Sequence, residues 1–196
     1  KTEVSDDMYA YKLKYLSSYI NTDRDDEKIN IGLPLGLNMY ELLPFWHAFF
    51  TELGFNVMTS PLSDRKLYEG GQYTIPSDTI CYPAKLIHGH IEALIRENAD
   101  VIFYPDMSYN IDEKQGDDHF NCPVVAYYPQ VVRWNIPDIK NVKFIYDFLS
   151  LAKPKVFEKR MREILGKYFP EKDFTSKQIS FATKAAYQEY SDYLES

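Results

Sequence analysis

The stretch Lys28-Ile-Asn-Ile-Gly32-Leu-Pro-Leu-Gly36-Leu-Asn38-Met-Tyr-Glu41 opens the part of the chain that decides its fold. Lys28 to Gly32 reads as a short strand. Asn38 followed three residues later by Glu41 has the form of a capping box, and Tyr40 to Leu53 then carries a broad aromatic face until Gly54 stops it. Pro44 is tolerated because it falls within the first turns. Phe55-Asn-Val-Met58 supplies the next strand, so the unit is strand, helix, strand with a right-handed crossover. Its first turn, Gly32 to Gly36, lies at the C-terminal end of a parallel strand, where open α/β sheets bind ligands. The glycine spacing is not that of a dinucleotide fingerprint and no phosphate-loop lysine follows, which leaves a plain tight turn.

Downstream, Ser60-Pro-Leu-Ser63-Asp64 caps a helix from Arg65 to about Glu69, ended by Gly70-Gly71. In Ile75-Pro-Ser-Asp-Thr-Ile-Cys81-Tyr-Pro83-Ala-Lys85 a cysteine stands where a loop becomes a helix. Pro83 suits a first turn, and Leu86, Ile87, Ile91, Leu94 and Ile95 recur at helical spacing. Ala99 to Tyr104 is a third strand, closed by Pro105. A polar loop from Asp106 to Asn121 contains Asp112, Glu113, Asp117 and Asp118, and a loop of that length in a compact domain is usually functional or mobile. Val124 to Tyr128 reads as a buried fourth strand, Pro129 to Trp134 as a helix, and Val142 to Phe148 as a fifth strand. Phe157, Met161, Ile164, Leu165 and Tyr168 mark one terminal helix. Ile179, Ala182, Ala186, Tyr190 and Leu194 mark a second, with Pro170 between them and Ser176 near the second start. Residues 1–27 are polar and charged and read as a connector, with Tyr9 to Leu16 suited to a short helix. The expected architecture is α/β: a mainly parallel sheet flanked by helices in three layers, Rossmann-like, forming one domain over 28–196 that is helical from about 153.

The totals restrict function. A chain of 196 residues suits one domain with a full core, and 17 Tyr with 12 Phe make it unusually aromatic. A net charge of -7 argues against nucleic acid or an anionic membrane as partner, because both demand a basic patch. No segment has the length of a membrane span and the N-terminus has no signal-peptide pattern, so a cytoplasmic location is the expectation. The opening Lys1, in place of an initiator methionine, suggests a piece of a longer polypeptide.

Two cysteines do not make a disulfide framework, which turns attention to their chemistry. At a helix N-terminus the free N–H groups and the positive end of the macrodipole favour a thiolate at Cys81, and Lys85 adds charge one turn on. Cys122 lies in His119-Phe-Asn-Cys-Pro123. If the sheet is parallel, Cys81, Cys122, Asp106 and His119 gather at one rim, a donor set compatible with zinc, iron or an iron-sulfur cluster. Two thiolates cannot close a four-ligand site, so the rest must come from Asp106 or His119, an outside ligand or a second chain related by two-fold symmetry. The bland alternative is that both are small buried apolar side chains. His88 and His90, two apart on a helix, point to different sides and form no zincin-like pair; His47, among Phe45, Trp46, Phe49 and Phe50, reads as a core or capping residue. The acidic loop lacks the spacing and glycine of a calcium-binding EF-hand.

Several strings in order carry a family resemblance: Asn38-Met-Tyr-Glu41, Pro44-Phe-Trp46, Phe49-Phe-Thr-Glu-Leu-Gly-Phe55, Ile75-Pro-Ser-Asp78, Cys81-Tyr-Pro-Ala-Lys85, His88-Gly-His90, Phe103-Tyr-Pro105 and His119-Phe-Asn-Cys-Pro123. Together they resemble the uncharacterised domain of large acyl-CoA dehydratase activase-related proteins. These are similar to the activator of 2-hydroxyglutaryl-CoA dehydratase, and the domain resembles the dehydratase and double-cubane-cluster subunits. The resemblance implies an α/β domain that holds or contacts an iron-sulfur cluster of the 4Fe-4S kind for low-potential electron transfer in anaerobic metabolism. Its implied partners are an ATPase activase module and a dehydratase-like client. This chain has Asp106 where the family often has a third cysteine, and Leu35 where a basic residue is common. Carried over, Cys81 and Cys122 are the ligands and Asp106 an oxygen substitute. The alternatives are a cluster-free interaction module and a dehydratase-like enzyme acting on a 2-hydroxyacyl-CoA.

Overall fold

The computed structural model describes residues 7–20, 25–114, 116–117 and 119–196, so Asp118 of the acidic loop and residues 21–24 of the connector stretch lie outside the described residues. Helix α1 (Met8–Ser17) is capped by Asp7, whose carboxylate accepts from the N–H groups of Tyr9 and Ala10. Within this stretch Leu16 is fully buried in the main core. Strand β1 (Asn30–Leu33) leads to α2 (Asn38–Glu41) and α3 (Leu43–Glu52), then to β2 (Asn56–Thr59).

The single helix expected over Tyr40 to Leu53 is therefore two. Pro44 has no N–H and its ring would strike the carbonyl of Tyr40, so the helix breaks at Leu42 and restarts with Pro44 in its first turn. The expected capping box does not form either. Leu37 occupies the N-cap with φ of 52°, while Asn38 is buried inside the helix and its amide donates to Met107 Sδ at 3.3 Å.

Helix α4 (Arg65–Gly71) has its N-cap at Asp64 and runs into a 3-10 turn, Gln72–Thr74. Next come α5 (Tyr82–Arg96), β3 (Val101–Phe103) and β4 (Asp106–Tyr109). The loop predicted to begin at Asp106 thus begins with a strand. Helix α6 (Pro123–Asn135) follows, correcting the fourth strand expected over Val124 to Tyr128. A five-residue apolar run carries no period that separates strand from helix; Pro123 at the first helical position was the informative residue. Beyond the 3-10 turn Pro137–Asn141, the expected fifth strand is divided into β5 (Lys143–Ile145) and β6 (Phe148–Ser150). The tail is α7 (Pro154–Tyr168) and α8 (Ser176–Glu195), the latter opened by a capping box between Thr175 and Gln178.

The main sheet has the order β2-β1-β3-β5 and is parallel throughout, with Ile31 beside Val57 and Val101, and Ile102 beside Phe144. Beyond it β4 and β6 pair as a second, parallel two-stranded sheet. Pro105 explains the division. Tyr104 N–H still donates to Ile145 O at 2.9 Å, but the next residue has no donor and the ladder is interrupted. Both faces of the main sheet are covered. Phe103 packs against Trp46 and Phe50 of α3 at ring-centroid distances of 4.8 Å each, whereas Gly32 lies under Leu94 of α5. The α3 side is an aromatic slab in which Phe45, Trp46 and Phe49 meet Phe157 of α7, and Phe45 also meets Tyr187 of α8. Among the described residues no helix is long and apolar enough to cross a membrane.

Helices α4 and α5 approach so closely that glycine is required on both. A Cβ on Gly71 would stand 2.2 Å from Gly89 N, and one on Gly89 would stand 2.2 Å from Leu67 O. Backbone cannot yield as a side chain can, so Gly89→Ala is expected to destabilise the fold by roughly 1–3 kcal/mol or more, seen as a lowered thermal midpoint. Gly166→Ala, with open space around its Cβ position, is the matched control that should not lower it.

Candidate functional site at the C-terminal edge of the sheet

Chain order places the reversal of strand order between β1 and β3: the chain goes from β1 to β2 on one side and returns to β3 on the other. Such a crevice, outside the carboxyl ends of the strands, is where open α/β sheets bind ligands. Cys81 is the N-cap of α5 and Cys122 the N-cap of α6, and both are exposed. Each is followed by a proline in the first helical turn, which fixes the entry of the chain without losing a hydrogen bond. The Val125 N–H points at Cys122 Sγ at 3.5 Å. Lys85 turns back on the preceding loop, where its Nζ donates to Asp78 O at 2.8 Å.

A buried polar chain ties the two helices together. Thr74 Oγ1 donates to Gly71 O at 2.8 Å, so His88 Nδ1–H must be the donor in the 2.7 Å contact with Thr74. His88 Nε2 is then an acceptor, and the Tyr128 hydroxyl donates to it at 3.0 Å. Cys81 is seven residues before His88 and Cys122 six before Tyr128, about 10 and 9 Å along their helices, so the link holds both helix starts at similar height. Burial pushes the Tyr128 phenol up to about 12, with the nearby Cys81 adding to it.

Tyr104 immediately follows β3. Its side chain is fully buried and its hydroxyl has no hydrogen-bond partner. Burial holds the phenol well above its usual range, reinforced by Tyr128, Asp106, Cys122 and Cys81, which all act on it electrostatically. Asp106 is also buried; Gln130 Nε2 donates to its Oδ2 at 2.5 Å, and Oδ1 has no partner. Its carboxyl is shifted upward by burial, opposed by the Gln130 bond. A groove of about 310 Å³, lined by Pro76, Ile80, Pro123, Val124, Tyr127 and Tyr128, runs alongside both helix starts.

A family profile described as the CoA enzyme activase uncharacterised domain matches residues 30–196. The chain belongs to that family. No curated protein and no solved structure gives a match.

Of the four predicted ligands in this activase-family domain, Cys81 and Cys122 stand at two helix starts, and together with Asp106 they act electrostatically on Tyr104. His119 does not join them: its Nε2 faces Asp112 at 3.2 Å, on the acidic loop. Among the described residues no group of three or more His, Cys, Asp or Glu side chains is arranged to hold a metal ion. The first turn is occupied with structure, since Leu35 is buried and its N–H donates to Ser60 Oγ at 2.8 Å. His88 and His90 do point to different sides, yet both are fully buried; His90 is held between Ser60 at 2.7 Å and Ser63 at 3.0 Å. Sequence reasoning passed over Tyr104, Tyr128 and Gln130. Tyr128 went unnoticed because Val124 to Tyr128 was read as a strand, Gln130 sat in the expected helix with no partner visible in the sequence, and nothing in the residue string marks a buried strand-end tyrosine as unpartnered.

Two outcomes follow from the buried links. Tyr128→Phe leaves His88 Nε2 buried without a donor and should cost roughly 1–3 kcal/mol in denaturant unfolding. Burial lowers both His88 and His90 to about 4 from an ordinary value near 6.5. The unfolded chain therefore binds more protons between those values, and stability that is complete above pH 6.5 is lost as pH falls towards 4. A His88→Gln, His90→Gln variant should lose less over that window than the wild type does; an equal slope would contradict the assignment.

Proposed function

We propose that this activase-family domain is a redox accessory module, with Cys81 and Cys122 as protein ligands of an iron-sulfur cluster. The observation that carries the reading is the placement of two exposed thiols at the N-caps of two cross-linked helices that start at one edge of a parallel sheet. The donor set fits one side of such a group. Thiolate sulfur is its usual ligand, two helix N-termini favour anionic ligands, and Asp106 keeps one oxygen unpartnered. The remaining ligands come from a partner protein, a second copy or a small thiol. When bound, a cluster supplies low-potential one-electron chemistry. The domain takes one electron from a reduced, ATP-hydrolysing activase partner and passes it to a dehydratase-like client, returning to its starting state.

A second reading, docking of the activase or its client without a cluster, is favoured by the exposed Tyr82, Phe120 and Tyr127, each in or next to a segment that bears one of the two cysteines. The first reading is tested by anaerobic reconstitution with ferrous iron, sulfide and a small thiol. Iron and sulfide retained after desalting, with an EPR signal on dithionite reduction, are expected for the wild type and not for Cys81→Ser, Cys122→Ser. Wild-type iron no higher than in the double variant would leave only the docking reading.

A further inference from the structure

We propose that a groove beneath α1, at the C-terminal ends of β1 and β2, binds a chain-like amphiphile: an apolar tail carrying a hydrogen-bond-donating head such as a primary amine. Neither cysteine lines this groove, and the proposal is independent of the cluster reading.

Two cavities meet here. One, of about 500 Å³, is walled by Leu13, Leu35, Leu37, Leu62 and Leu86 and has no charged side chain in its lining. The other, of about 490 Å³, is bounded by Ser17, Ile20, Thr59, Ser60, Leu62 and Glu97. Leu62 belongs to both walls. So do α1 and the turn after it, whose Leu13, Ser17 and Ile20 recur at helical spacing along one side. Each volume falls in the range of small-molecule sites, and a position outside the carboxyl ends of parallel strands is the one that open α/β sheets use for ligands.

The apolar wall is kept at a cost to the backbone. Leu37 holds φ of 52° and ψ of -137°, a conformation strained for any residue but glycine, and it lines the apolar cavity. A glycine there would relieve the strain and open the wall. The other wall is an addition to the domain, since α1 lies before the residues 30–196 that match the family profile. It is nevertheless pinned across the groove: Leu16 is fully buried, Lys12 Nζ bonds Glu41 Oε1 at 2.5 Å, and the Tyr19 hydroxyl donates to Glu189.

The head group follows from the polar end. Ser17 Oγ donates to Leu13 O at 2.6 Å, which leaves that oxygen as an acceptor, and Glu97 is the charged side chain in the wall. Both favour a donor. A carboxylate or phosphate head would meet Glu97 with like charge, in a chain whose net charge is already -7.

Titration calorimetry of the full chain with n-octylamine and with octanoate tests the assignment. The amine should bind saturably at one site, roughly three- to tenfold more tightly than octanoate at low salt, as expected for an exposed charge at the head. Leu62→Trp and Leu13→Trp, at positions 41 % and 43 % exposed, fill the groove from its rim without entering the core; each should weaken the amine by roughly tenfold at an unchanged thermal midpoint. Glu97→Gln should still bind the amine and lose its preference over octanoate. Equal amine affinity in wild type and both tryptophan variants would mark attraction to the negative surface as a whole and overturn the groove. Octanoate binding wild type as tightly as the amine, or a preference that survives Glu97→Gln, would overturn the head-group assignment. Absence of saturable amine binding to wild type would overturn the proposal outright.

Discussion

A parallel sheet imposes one constraint from which the rest of this molecule follows. Successive parallel strands require the chain to return across the sheet, so every crossover helix begins at the edge where the strands end. Helices α5 and α6 are both such crossovers in the β2-β1-β3-β5 sheet. Their N-caps are Cys81 and Cys122, which stand on the same edge although 41 positions separate them in the sequence. The His88–Tyr128 bond and the glycine contact of α4 with α5 then fix how the two helices sit.

The two faces of the sheet do different work. On the α3 side, an aromatic slab of Phe45, Trp46, Phe49, Phe50, Phe103 and Phe157 is fully buried, at about 1.5–3 kcal/mol for each large side chain taken out of water. On the α5 and α6 side, polar groups are buried deliberately, and most are satisfied by one another. The exceptions gather near the end of β3, where the Tyr104 hydroxyl and Asp106 Oδ1 have no partner, and Asn38 Oδ1 on α2 joins them through its amide contact with Met107 of β4.

The sequence made the parallel α/β class readable because β1, α3 and β2 carry strong local signals, and because the α5 stripe of Leu86, Ile87, Ile91 and Leu94 has a clear 3.6-residue period. It made Cys81 readable as a helix start through Pro83. The equivalent signal at Pro123 was outweighed by Val124, Val125 and the aromatic pair Tyr127 and Tyr128, whose β propensity yields here to tertiary packing, with Ala126, Tyr128, Pro129 and Val132 buried on one side of α6. The split of α2 from α3 and of β3 from β4 shows the same lesson for proline: Pro44 and Pro105 each act on a bond four residues back or one rung across, which a residue-by-residue pattern does not display. His119 was grouped with the cysteines by its nearness to Cys122 in sequence, whereas the loop carries its ring to Asp112.

The central claim is that the thiols of Cys81 and Cys122 share one edge of the folded sheet. Treatment of the native chain with a short bis-maleimide, followed by intact mass and peptide mapping, tests it most directly. The account predicts one intramolecular bridge joining the two cysteine peptides. Separate single-ended adducts on each thiol, with no bridged species, would contradict it.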